Sequence, residues 1–496
     1  MTLFYPSAVH YGGPGGAIYT WIVASVFHLC VSFSLAEICS AWPSSGGLYY
    51  WSAKLGGRRH GPILSWFTAY MNLVGEISSI AGYAFGLSLI IFSCIAFYVP
   101  GYECSPWQPG LLAIVFVVLW GIINSTNDIV LARTMELAIA SQVLGSIAVI
   151  VILLTCAPVR KSASFIFTTF EPQTHHHHSP LYSGFISVTF PSWVWIGYDS
   201  SAHISEETVN AYKGVSKSLI YSILLNSVLG FLLIVALSLT TQSLNLFQDE
   251  NLFIYTPVMS FHDATQSETV ALILTSLVAL ALFFGGLSVN TVNSRMIFAF
   301  ARDDGFGRYV SSKLRYMHAK TRVPLHALWT SSCLTIVILV LSFGLPSGGQ
   351  QGAISFATAS LLSAYTLPIF AKVAIKSREY MPGEFSLGSL STFIGWTSVV
   401  WVSFIIVVLC FPSEFPLTLE NFNYSSILLA VVLLIISAVW IISARHWYTG
   451  PIRRIDEYDV ARMERSIIAA KDALAEIGAL SAVTLGDGVA SYARMS

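Results

Sequence analysis

Eleven apolar runs constrain this chain more than any other feature: residues 17–41, 62–98, 109–126, 134–157, 181–204, 218–241, 269–299, 325–345, 350–374, 393–412 and 425–444. Crossing a hydrocarbon core takes about 20 helical residues, and each run is close to that length or beyond it. Only 10% of the residues are charged, against roughly 25% in soluble domains. The expected fold is therefore an all-α polytopic membrane protein, with the overlong 62–98 run forming one tilted helix.

Lysine and arginine fall in alternate connections between the runs, as cytoplasmic loops require. Lys54, Arg58 and Arg59 follow the first run; Arg133, Lys213, Lys217, the group Arg302–Arg322, Lys372–Arg378 and Arg445–Arg454 occupy every second connection after it. The intervening connections hold only Arg160 and Lys161. This alternation supports all eleven spans, puts the C-terminal tail inside and places Met1 outside. An outside start without a signal sequence implies that residues 1–16 are the remnant of a first transmembrane helix and an external turn at Gly12–Gly16. The division expected is thus 1–16, a transmembrane region over 17–445, and a cytoplasmic tail over 446–496 with an amphipathic helix near Ser466–Leu485.

Several function classes drop out. A net charge of -1 without a basic stripe offers nothing to nucleic acid. The seven cysteines lie mostly within spans, lack metal-ligand spacing and read as packing residues. The run His175–His178 has no carboxylate or cysteine nearby and reads as part of a variable outer loop, so no metal or other cofactor is expected. No nucleophile–base spacing and no phosphate-binding loop point to an enzyme or an ATP-driven pump. The sequons at Asn423 and Asn124 lie at membrane edges.

One run is interrupted. Trp195-Ile-Gly-Tyr-Asp-Ser-Ser-Ala-His-Ile-Ser-Glu-Glu-Thr208 places a glycine and several ionisable groups inside a spanning stretch, where they are costly and usually face a cavity. Helices broken near the midplane, with free backbone groups turned to a substrate, are typical of secondary transporters. The segment Gly197–Thr208 resembles the sixth-helix signature of fungal amino acid, choline and 4-aminobutyrate permeases of the amino acid-polyamine-organocation superfamily. Ala36-Glu-Ile38 with Pro43–Trp51 resembles that family's second helix and following loop, and Ser294–Gly305 the end of its eighth. The resemblance covers about residues 12–445. It implies a leucine-transporter-like fold of two inverted five-helix repeats plus two helices, here as eleven full spans and a stub. It also implies a proton-coupled importer of a small amino compound in the plasma membrane, with 4-aminobutyrate, choline and amino acids all open. The alternative is a truncated, non-transporting relative or an incomplete gene model, because the glycine-rich break of the family's first helix has no counterpart before Gly12.

Candidate residues follow. Glu76, in mid-span, pairs with a cationic substrate or carries a proton; its bland alternative is a protonated acid bonded to a neighbouring helix. Trp195, Gly197, Tyr198 and Asp199 form the expected substrate site, with Trp195 in the pocket and Trp193 in packing. Asp199 and His203 share a helix face and either join an inner gate or cap the inner half-helix. Glu136 is a coupling site or pairs with Arg133 or with Arg295. Glu37 is a structural or gating acid whose partner is sought at Arg302 or Arg308.

Overall fold

The computed structural model describes residues 2–451 except 106, 171–179, 209, 248–255, 343–346, 376–379, 413, 414, 416, 420 and 421. The histidine tract and the tail helix expected near Ser466 lie outside these residues. Among the described residues the regular secondary structure is all helical, with no strand.

Helix α1 (Tyr5–Ala41) leaves helical geometry at Gly13, where φ is 67° and ψ 177°. Only glycine adopts that backbone without strain, and Pro14 follows as a fresh helix start. The chain therefore makes a short helix up to Gly12 and a full span after it. Helix α2 (Gly47–Tyr98) breaks likewise at Gly57, separating a short loop helix from one uninterrupted span to Tyr98. Helices α3 (Trp107–Asn124) and α4 (Asp128–Cys156) complete the first half, and α5 (Ala163–Thr168) is a short connection. The sixth span is split into α6 (Pro180–Val194) and α7 (Ser200–His203). After it come α8 (Ala211–Thr240), the short α9 (Thr256–Thr265), α10 (Glu268–Arg302), the short α11 (Arg308–Leu314), α12 (Leu325–Ser342) and α13 (Ser347–Phe370). The last two spans are α14 (Ser391–Leu409) and α15 (Ser425–Ile442). Among the described residues, ten helices are long and apolar enough to cross a membrane. The split sixth segment is not among them, since α6 and α7 are each shorter than a span.

Corresponding helices of the two halves pack on each other: α1 on α8, α2 on α10, and α3 on α12. Close approach depends on small residues, as between helices in lipid generally. A Cβ on Gly286 of α10 would lie 2.1 Å from the Trp120 ring of α3, and one on Gly75 of α2 would lie 2.7 Å from Leu361 of α13. Outward faces carry the apolar surplus; along α15 only Ser425 and Ile436 are buried. An aromatic cluster of Trp66, Tyr70, Phe300 and Tyr448 joins α2, α10 and the segment that follows α15. Asn124 is buried, donating to the Leu287 carbonyl and accepting from Thr291, which leaves it no acceptor role for a glycan.

Candidate functional site

The sixth span stops being helical because Gly197 sits at φ +84°. Its amide donates to the Tyr365 hydroxyl of α13 at 2.8 Å instead of to a carbonyl one turn back. Trp195 to Asp199 form a non-helical bridge, and α7 then resumes for a single turn. A Cβ on Gly197 would meet no atom within 4 Å, so the site has room but the backbone tolerates only glycine comfortably. Gly197→Ala is accordingly expected to lower stability by about 1–2 kcal/mol through backbone strain alone, read as a lower thermal unfolding midpoint of the purified protein.

Around the break lies a buried polar cluster drawn from three spans. The Tyr365 hydroxyl donates to Asp199 Oδ1 at 2.6 Å. Asp199 Oδ2 lies 3.4 Å from His203 Nε2, and the other ring nitrogen of His203 is 3.0 Å from the Ser45 carbonyl. Asp199 makes no helix-capping bond from its side chain, so the capping alternative is not what the structure shows. Asn72, Glu76 and Tyr83 share one face of α2. The Asn72 amide stands 3.4 Å from His203 Nε2, and Glu76 is within electrostatic reach of Asp199, Tyr365 and Tyr83. The Tyr198 ring packs on Tyr365 at 5.0 Å. Asp199 and Tyr365 are fully buried, Glu76 is 1% exposed and Tyr198 7%.

The two tryptophans divide differently from the sequence expectation. Trp195 is enclosed between Trp21, at 4.7 Å, and His28, at 5.8 Å, both from α1. Trp193, expected in packing, lines a cavity of about 520 Å³ with Phe4, Tyr83, Asn226 and Ser288. The cavity lies beside the acids rather than on them, and Tyr83 is the side chain common to both. The outer half of the break packs on the short helix before Gly13, where Tyr11 stacks on Phe190 at 5.4 Å.

Below the cluster the chain is tied by ion pairs. Glu206 receives both ends of the Arg302 guanidinium at 2.9 Å, together with the Ser45 hydroxyl at 2.6 Å. Burial alone would raise the Glu206 carboxyl, but its bonds to Arg302 and Ser45 outweigh that and hold it below the usual carboxylate range. Arg295 makes a second fork to Glu207, at 2.8 and 3.1 Å. These forks, rather than Asp199 or His203, connect the broken span to the basic end of α10. Ser45 belongs to both levels, its carbonyl facing His203 and its hydroxyl Glu206.

Glu37 is paired with Lys372, not with Arg302 or Arg308. Ser391, Ser386 and the Leu387 amide also donate to it, at 2.7, 3.2 and 3.1 Å. Lys372 reaches it from a π-helical turn over Ala371–Ile375 at the end of α13. Glu136 pairs with Arg133 at 2.7 Å on an exposed face and does not meet Arg295. Sequence reasoning missed Tyr365, Tyr83, Asn72 and Lys372. A hydroxyl or amide inside an apolar run was the available signal, and it is a weak one.

Comparison with known proteins is consistent in direction. A model of the family described as amino acid permease matches residues 2–434. The chain is 32% identical over 472 residues to the amino-acid permease BAT1 homolog of Oryza sativa subsp. japonica, covering 92% of this chain and 89% of that one. It is 32% identical over 467 residues to the amino-acid permease BAT1 of Arabidopsis thaliana, covering 92% and 90%. A putative polyamine transporter of Candida albicans is 24% identical over 456 residues, covering 90% and 82%.

Proposed function

The chain belongs to the amino acid permease family, whose members are transporters and not enzymes, and on that premise we propose that it is a proton-coupled secondary importer of a small amino compound across the plasma membrane. The compounds in question are those of the sequence reading: 4-aminobutyrate, choline or an amino acid. One observation carries the proposal, the buried cluster of Asp199, His203, Glu76 and Tyr365 at a break in the sixth span. It bridges two bodies. Asp199 and Tyr198 belong with α1, α6 and α8, whereas Glu76 and Asn72 belong to α2, packed on α10 and α13. Rocking of one body on the other would alternate access to such a site.

His203 stands between the two bodies: one ring nitrogen is 3.0 Å from the Ser45 carbonyl, and Nε2 is 3.4 Å from both Asp199 Oδ2 and the Asn72 amide. It thus ties the site to the Ser45 loop, which also holds Glu206. The forks of Glu206 and Glu207 to Arg302 and Arg295 would close the inner side and part when the site opens inward. Glu37 and Glu136 lie outside the cluster, so Glu37 is assigned a structural role and Glu136 a peripheral one.

The test is radiolabelled uptake in cells lacking endogenous permeases. Uptake is expected to run several-fold faster at acidic than at neutral external pH and to collapse with a protonophore. His203→Gln is expected to lower uptake several-fold by loosening the tie between Asp199 and the Ser45 loop. Uptake indifferent to pH and protonophore would remove the coupling, and no accumulation of any compound in the panel would remove the importer.

A further inference from the structure

The short helix α11 turns large apolar side chains away from the protein. Its buried face is Ser311 and Leu314, three residues apart. Arg308, Tyr309, Val310, Ser312 and Lys313 are exposed, and so are Arg315, Tyr316 and Met317 directly after it. Tyr309 is 74% exposed and Tyr316 47%. The Lys313 ammonium lies over the Tyr309 ring at 5.0 Å, so cation and aromatic share one outward face.

Both ends of the segment fix where that face lies. At its start, the Gly305 amide donates to the Phe300 carbonyl of α10 at 2.9 Å, and the Phe306 amide to the Ser311 hydroxyl at 3.1 Å. At its end, the ring of His326, in the first turn of α12, donates to the Lys313 carbonyl at 2.8 Å and packs on Tyr316 at 5.0 Å. Trp329, one turn further along α12, is exposed as well. Helix α11 is thus pinned to the point where α12 enters the bilayer. Beyond it a tight turn, closed by the His318 amide on the Val323 carbonyl at 3.1 Å, presents Lys320 and Arg322 to the surface.

From Gly307 to Pro324 the chain holds Arg308, Lys313, Arg315, Lys320 and Arg322 and no acid. Arg315 reaches Asp304 at 3.7 Å; the other four have no carboxylate partner among the described residues. A cytoplasmic loop is expected to carry cations, but that rule asks for no tyrosines beside them. Aromatic rings and cations side by side suit the headgroup layer, where rings sit at the interface and lysine and arginine meet lipid phosphate. A soluble polyanion would satisfy the charges and leave Tyr309, Val310, Tyr316 and Met317 nothing to bury against.

We infer that the outward face of α11 and the turn after it form a binding surface for anionic phospholipid of the adjoining leaflet. Arg308, Lys313, Lys320 and Arg322 hold the phosphate, and Tyr309 and Tyr316 enter the headgroup layer. The surface is independent of which compound the chain carries.

Native mass spectrometry of the purified full-length chain in detergent, titrated with phosphatidylserine or phosphatidylcholine of matched acyl chains, measures it. Phosphatidylserine is expected to bind roughly tenfold more tightly. The triple variant Arg308→Gln, Lys313→Gln, Lys320→Gln is expected to lose that margin. A control triple, Lys54→Gln, Arg58→Gln, Arg59→Gln, removes the same charge from another loop on the same side and is expected to keep it. Equal binding of the two lipids, a margin that survives the first triple, or equal loss in both triples would overturn the inference. Displacement of the lipid by equimolar glycerophosphoserine would show a site for a soluble anion, and displacement by a polyglutamate peptide a protein-docking face; either also overturns it. If the first triple does not fold, photoactivatable phosphatidylserine decides on the unaltered chain: labelling within residues 308–329 supports the surface, and labelling only elsewhere removes it.

Discussion

Replacing Lys372 by methionine is expected to destabilise the protein by about 3–5 kcal/mol, because it strands Glu37 as a buried, unpaired charge. Glu37 is 1% exposed and Lys372 8%, so neither charge can turn to water. Glu37→Gln is milder, since Ser391, Ser386 and the Leu387 amide still have an oxygen to bond, and it leaves a flexible ammonium that can partly withdraw. The double variant Glu37→Gln with Lys372→Met is expected to recover much of the single loss, because a buried pair removed whole often costs little. Thermal unfolding of the three purified variants checks this. A double variant no more stable than Lys372→Met would show that the pair is not the source of the effect.

Asp199→Asn is expected to behave in the opposite sense, lowering uptake about 10- to 100-fold while leaving thermal stability unchanged or improved. The loss corresponds to a charge-assisted bond of about 1.5–3 kcal/mol, here that between Tyr365 and Asp199 Oδ1 together with the Asp199–His203 contact. The stability follows because a buried carboxylate without a lysine or arginine partner among the described residues is costly to keep, and strain of this kind is tolerated where function needs it. Uptake kinetics and melting on the same preparation separate the two effects. Loss of uptake together with loss of fold would mean that Asp199 is structural.

The spans, the kink at Gly13 and the break in the sixth span were legible because each rests on a physical exclusion. Long apolar runs have no place in water, a glycine and an acid have little place against lipid, and Gly13 with Pro14 cannot continue a helix. What stayed hidden was which side chains meet. Tyr365 looks like any aromatic in an apolar run, and its bond to Asp199 spans 166 positions. Lys372 reads only as a cytoplasmic positive charge, which gives its side of the membrane but not its neighbour. Glu37 was therefore sought against the basic end of α10, where Arg302 is already held by Glu206. Because α7 is only four residues, Ser200–His203, it is the two glutamates after it, and not Asp199 or His203, that meet the arginines of α10. The resemblance to amino acid permeases supplied the architecture, but no motif in it names a substrate.

The Trp21–Trp195–His28 stack bears on how any conformational change can be observed. With the indole of the broken span clasped by two rings of α1, those two segments form one lever, and relative displacement must be sought at the opposite face, between Tyr198 and Tyr365. A pair of spectroscopic labels on α1 and the outer half of the sixth span would then serve as the stationary ruler against which every other distance in a transport cycle is read.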